Sequence, residues 1–196
     1  MPAITFDKIL EKGARNGILP ARSVEARNWY RTQASKTTTT ASRIHSESRS
    51  AMTATVTMGK MYMFFYDPKH KKTLPYYDRF PLIFPFSSAK GGFMGLNLHY
   101  LPLKLRALLM DSLYDLMNNK QYSEDTKLKL SYSVLQSAGK YKWFKPCIKH
   151  YLSDHIRSRF IEVDVSSWDI ALFLPTQKFV GANSSKVWSD SRNSIK

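Results

Sequence analysis

The sequence predicts an α+β fold: a small, strongly curved antiparallel sheet, SH3-like or barrel-like, packed by a few helices, with extended N- and C-terminal arms. Three observations point there. Short apolar runs dense in Tyr, Phe and Met crowd between Gly59 and Tyr100, each broken by proline or glycine. Leucines then recur at helical spacing from Leu103 to Met117. The Ser/Thr-rich stretch from Ser35 to Thr57 precedes this block and offers little to a core.

The chain divides into four segments: a helical arm over 1–34, a Ser/Thr-rich linker over 35–57, an α+β domain over 58–180 and a basic tail over 181–196. In the first, Thr5 caps a turn at Phe6 to Leu10, and Gly13 and Gly17 interrupt it. Ser23 caps a second helix that sets Arg27 and Arg31 four apart on one face. That pair suits either phosphate contact or an ordinary solvated face. The linker, SKTTTTASRIHSESRSAMTATVT, offers too little apolar surface to offset the entropy of ordering, so it is expected to be extended unless a partner orders it.

Within the domain, Met61–Tyr66 is too short for a helix and stops at Asp67-Pro68, a turn signal. Leu74–Tyr77, Leu82–Phe86 and Phe93–Tyr100 are the further strand candidates, the last opened by Gly91-Gly92. Pro102 starts a helix through Asn118 and Asn119. Ser123-Glu124-Asp125 starts another that runs to Gly139, its cap and early acids matching the helix dipole. Phe160–Val165 alternates as a half-buried strand does. Ser166 or Ser167 caps a short helix from Trp168 to Leu174, stopped by Pro175.

The 196 residues suit one core with appendages. Thirty Lys and Arg against 15 Asp and Glu leave a formal charge of +15, which favours a polyanion, nucleic acid first. Acidic protein neighbours in a large assembly are the other reading. Cys147 stands alone, which excludes an intrachain disulfide and a multi-cysteine metal site, and its apolar neighbours suggest burial. The first ten residues carry Asp7 and lack a continuous apolar core, so no secretory leader is expected there. No stretch approaches the roughly 18 apolar residues of a membrane span, so no membrane partner is expected.

No catalytic pattern stands out. The chain has no Gly-rich phosphate loop with its lysine and no Gly-x-Ser-x-Gly elbow. Asp67, Asp78, Glu162 and Asp164 make a metal-dependent nuclease site only on paper, without a lysine at a suitable offset. The expectation is a protein that is not an enzyme, with no metal, cofactor or small-molecule substrate.

Basic residues mixed with aromatics supply binding candidates. Arg27, Arg31, Arg43, Arg49, Lys69, Lys71 and Lys72 precede a strip in which Lys140, Lys142, Lys145 and Lys149 alternate with aromatics, followed by Arg157 and Arg159. Phosphate contact is one role for the strip, with Tyr141 or Trp143 stacking on a base at a nucleic-acid end. An amphipathic connector with solvated lysines is the other.

The block from Tyr62 to Asp111, within MYMFFYDPKHKKTLPYYDRFPLIFPF and GGFMGLNLHYLPLKLRALLMDSLYD, resembles a virion-protein family of T-even-like tailed phages, the DNA end protector or head completion family. The likeness continues more weakly through KHYLSDHIRSRF and the segment Val187–Arg192, covering about two thirds of the chain. It implies a protein made in the host cytoplasm and built into the virion. Its partners would be double-stranded DNA ends and other virion proteins at the head portal, neck or tail. On injection it would shield the genome ends from host exonuclease. End preference needs more than charge, because lysines alone bind any duplex. Trp143, Tyr141 or the loop near Tyr76 and Tyr77 are candidates for covering the terminal pair. The competing class is a structural neck, tail or baseplate component that joins its neighbours through the extended arm.

Overall fold

A computed structural model describes residues 5–20, 23–117 and 142–194, with the single positions 121, 123, 133 and 137. In chain order the described elements are α1 (Thr5–Arg15), α2 (Val24–Lys36), α3 (Ala41–Glu47), β1 (Met52–Thr53), β2 (Met61–Met63), β3 (Tyr77–Asp78), β4 (Leu82–Ala89) and β5 (Gly92–Asn97). Then come α4 (Leu103–Met117), β6 (Ile148–Leu152), β7 (Phe160–Val163), α5 (Trp168–Phe173), β8 (Phe179–Val180) and α6 (Ser184–Asn193).

Six strands form one antiparallel sheet in the order β1-β7-β2-β4-β5-β6, and β3 pairs with β8 as a separate ribbon. The β4–β5 hairpin closes over Lys90 and Gly91, where Gly91 takes φ 75°, a conformation that strains any residue with a Cβ. A register shift between Pro85 and Ser87 marks an irregularity in β4 and bends that strand.

The strand β2 explains why its segment reads as unbroken apolar sequence. Successive side chains of a strand point to opposite faces, and here both faces are covered. Met61 and Met63 enter the larger core with the helices, alongside Leu82, Phe84, Leu109, Trp168 and Ile170. Tyr62 enters the smaller cluster on the opposite face, with Phe64, Tyr66, Ile83, Phe93, Tyr151 and Phe160. Phe64 is the hub of that cluster, with ring centroids 4.9 Å from Phe160, 5.4 Å from Tyr151 and 6.5 Å from Phe93 at steep interplanar angles. Edge-to-face contacts of this kind suit the ring quadrupoles.

The α+β class, the helix after Pro102 and the strand from Phe160 match expectation. The barrel does not: the sheet is open, with β1 and β6 at its two edges. The arms are not free of the core either. Phe6, Ile9 and Tyr30 from the N-terminal segment and Val187 from the C-terminal one are buried in the main core. The Ser/Thr-rich stretch expected to be extended carries α3, whose Ala41 and Ile44 are buried. Its helix is supported by hydrogen bonds more than by apolar bulk. Thr40 Oγ1 accepts from Arg43 N–H at 3.2 Å, an N-cap. Glu47 accepts from the Thr5 backbone N–H at 2.9 Å and from the Thr5 hydroxyl at 2.7 Å, tying α3 to the start of α1. The helix expected from Ser123 to Gly139 lies almost wholly outside the described residues.

Candidate nucleic-acid interface

The loop that follows Tyr66 folds over the β5–β6 edge of the sheet and encloses a pocket of about 490 Å³. Tyr66, Tyr76, Tyr77, Tyr100 and Tyr151 line it, with Asp78 and Asn97 among the buried residues and Lys69, His70, Lys149 and His150 as the basic ones. Pro68 and Leu74 complete the loop side. Lys69 and Lys149 therefore border one pocket, although about eighty positions separate them.

Contacts among the tyrosines hold the walls. Tyr66 and Tyr151 rings lie 4.9 Å apart and Tyr76 and Tyr100 6.1 Å apart. The Tyr66 hydroxyl accepts from Leu152 N–H at 3.1 Å. Burial pushes the phenol pKa of Tyr66, Tyr76, Tyr100 and Tyr151 upward.

Asp78 is 4 % exposed and its oxygens are fully engaged. Oδ1 accepts from the backbone N–H of Phe80 at 3.0 Å and of Lys178 at 3.1 Å. Oδ2 lies 3.3 Å from Asn97 Nδ2 and 2.7 Å from His99 Nδ1. These donors hold the Asp78 carboxyl below its ordinary range against the opposing effect of burial, while burial holds the His99 imidazole down. A neutral His99 donating from Nδ1 to an ionised Asp78 satisfies both.

Lys149 is the unusual cation. Its Nζ sits 4.0 Å from the Tyr100 ring centroid, a cation–π contact, and among the described residues no carboxylate pairs with it. Burial lowers its pKa. Outside the pocket, the 69–72 loop is tied to the segment carrying Arg157. Asp67 N–H donates to His155 O at 3.0 Å, Arg157 N–H donates to Phe65 O at 2.8 Å, and Arg79 N–H donates to Lys178 O at 2.9 Å. Lys69, Lys71, Lys72, Arg79 and Arg157 are all exposed here. Lys71 spends part of its charge on Asp67 at 2.9 Å.

The other sequence candidates divide by burial. Arg27 and Arg31 are buried: each is 6 % exposed. Arg27 Nε lies 3.1 Å from Asp111, and Arg31 pairs with Asp111 at 2.7 Å and Asp169 at 2.6 Å. Their four-residue spacing reflects one buried face of α2, not a solvated one. Arg43 is exposed and pairs with Glu47 at 2.7 Å. Arg49, Lys145 and Arg159 are exposed, and Arg159 borders a different groove with Phe93 and Phe160. Lys140 and Tyr141 lie outside the described residues, as do the side chains of Lys142 and Trp143.

The four carboxylates considered for a nuclease are each engaged separately: Asp67 by Lys71, Glu162 by Lys60 at 2.6 Å, Asp164 by Ser166, and Asp78 as above. No group of three His, Cys, Asp or Glu among the described residues is placed to hold a metal. Cys147 is buried, and burial pushes its thiol up to about 12. No helix among the described residues is long and apolar enough to cross a membrane.

Sequence reading missed Arg106, which is 1 % exposed. Its guanidinium donates to the carbonyls of Leu101 at 2.8 Å, Leu172 at 2.8 Å and His99 at 3.0 Å, and burial lowers its pKa to about 10. Its position within the leucine-rich face of α4 was the available signal: Leu105, Leu109 and Leu113 surround it at helical spacing.

Comparison with individual curated proteins and with solved structures gives no match. A family model, that of the phage T4 terminal DNA protecting protein, matches residues 21–191. That span holds the whole sheet, every wall of the tyrosine pocket and the exposed basic loops around it. The chain belongs to the phage T4 terminal DNA protecting protein family.

Proposed function

We propose that this protein binds the ends of double-stranded DNA, completes the filled phage head and shields the injected genome from host exonuclease. The family match over residues 21–191 carries this reading. The geometry supports it through the exposed cations around the 69–72 loop, which suit sequence-independent phosphate contact. The partner is the duplex end, with virion proteins at the portal, neck or tail as neighbours in the particle.

A competition assay tests the binding step. Labelled short linear duplex is titrated against unlabelled closed circular DNA at low and moderate salt. Linear duplex retained against an excess of circle, together with slowed digestion by an exonuclease that requires a free end, is the expected result. Equal competition per base pair removes end recognition and leaves general basicity.

A further inference from the structure

Building on the end-binding reading, we propose that the tyrosine pocket takes the unpaired terminal nucleotide of a DNA strand, its base among the rings of Tyr66, Tyr76, Tyr77 and Tyr100 and its phosphate against Lys149.

Size is the first argument. About 490 Å³ lies within the range of small-ligand sites, roughly 300–1,000 Å³, so one nucleotide fits and a duplex does not. The walls are the second. Aromatic side chains stack on any base through its π face, giving affinity without sequence preference, as protection of an arbitrary end requires.

Lys149 is the third. Backbone phosphates of a duplex are reached by exposed lysines such as Lys69 and Lys72, with no need to bury a cation. Lys149 is instead partly buried against Tyr100, with no carboxylate partner among the described residues. An anion entering the pocket would complete it.

Asp78 sets the orientation. Its oxygens are occupied by four donors, but its negative charge remains. That charge opposes a phosphate beside it and leaves that side of the pocket to the uncharged base, whichever base it is. The base therefore enters first, and the phosphate stays toward Lys149 and the basic rim of Lys69, His70 and His150.

The pocket also supplies what charge cannot. A nucleotide inside a duplex is held by phosphodiester bonds on both sides and by two stacked neighbours. A terminal one is held on a single side and leaves the stack at the least cost. Selection for ends then follows from topology.

The test uses the full-length protein and four DNA probes: an open linear duplex, a fully paired duplex closed into a covalent circle, and two open duplexes carrying 2-aminopurine at the terminal or at an internal position. The wild-type protein is expected to prefer open over closed duplex by about tenfold or more, the scale of one stacked base. Only the terminal 2-aminopurine should change its emission. Tyr77→Ala and Lys149→Met, each checked for folding by circular dichroism and thermal melting, are expected to reduce the preference for open over closed duplex by about tenfold.

If the wild-type protein binds open and closed duplexes equally, end recognition itself falls and the pocket assignment with it. If open ends are preferred but terminal and internal probes respond alike, or both folded variants keep the preference, the pocket assignment alone is overturned.

Discussion

Arg31 Nε lies 2.6 Å from Asp169 Oδ1, joining α2 to α5 across 138 positions in a site where both side chains are almost wholly buried. The same guanidinium reaches Asp111 on α4 at 2.7 Å and covers the Phe173 ring at 5.7 Å. Three helices therefore meet on one buried cation.

Arg31→Met is expected to destabilise the fold by about 3–5 kcal/mol, because it strands a buried carboxylate. Urea denaturation measures this. DNA affinity per folded molecule should stay within about twofold of wild type, well inside one kcal/mol. A large loss of affinity with unchanged stability would return Arg31 to the DNA-binding surface.

The exposed loop should behave in the opposite way. Substituting Lys69, Lys72 and Arg157 together by alanine is expected to leave stability within about 0.5 kcal/mol per site. Each removed phosphate contact lowers the slope of log affinity against log salt by about 0.9. Fluorescence anisotropy across a salt series reads the slope. An unchanged slope would show that phosphates lie elsewhere.

Acid should weaken the fold through His99. Its pKa is depressed in the folded state, so below its ordinary value of 6.5 the unfolded chain takes up a proton that the folded one refuses. Stability is full above that pH and falls below it, by up to about 1.4 kcal/mol per pH unit. His45, also depressed by burial, adds in the same direction. Asp78, depressed from 3.8, extends the loss at lower pH, as its carboxylate is titrated. Urea midpoints at pH 7.5 and 5.5 check the sign, and His99→Gln should flatten the dependence. Equal midpoints would show that His99 protonates freely in the fold.

Gly92 packs tightly against β6, the strand that carries Lys149 and Tyr151. A Cβ there would clash with the backbone oxygen of Tyr151, so Gly92→Ala must push β6 away from β5. A loss of about 1–3 kcal/mol is expected. Amide exchange should rise first in Lys149–Tyr151, which face Phe93–Gly95 across the ladder. Exchange rising uniformly would place the damage elsewhere.

The pattern of legible and illegible features follows from what each signal requires. The α4 helix could be read because its leucines repeat within a few turns, and Cys147 because its neighbours are apolar. Ser23 could be read as an N-cap, and its Oγ does accept from Ala26 N–H at 3.1 Å. The order of α3 could not, because its support comes from Thr40 within the segment and from Thr5 far outside it. Arg27 and Arg31 could not be assigned either, since an arginine face looks the same whether water or two aspartates stand opposite.

By itself the sequence determined the α+β class, the basic character, the resemblance in the Tyr62–Asp111 block and the candidate aromatics near Tyr76 and Tyr77. Those depend on composition, local spacing and contiguous motif, which a chain carries whether or not it is folded. Tertiary structure alone decided which cations are spent internally, that the sheet is open, and that Lys69 and Lys149 border one pocket. Each of these depends on pairing between distant segments, as when Gly92–Leu96 takes Ile148–Leu152 as its neighbour, and no local periodicity encodes the partner of a strand.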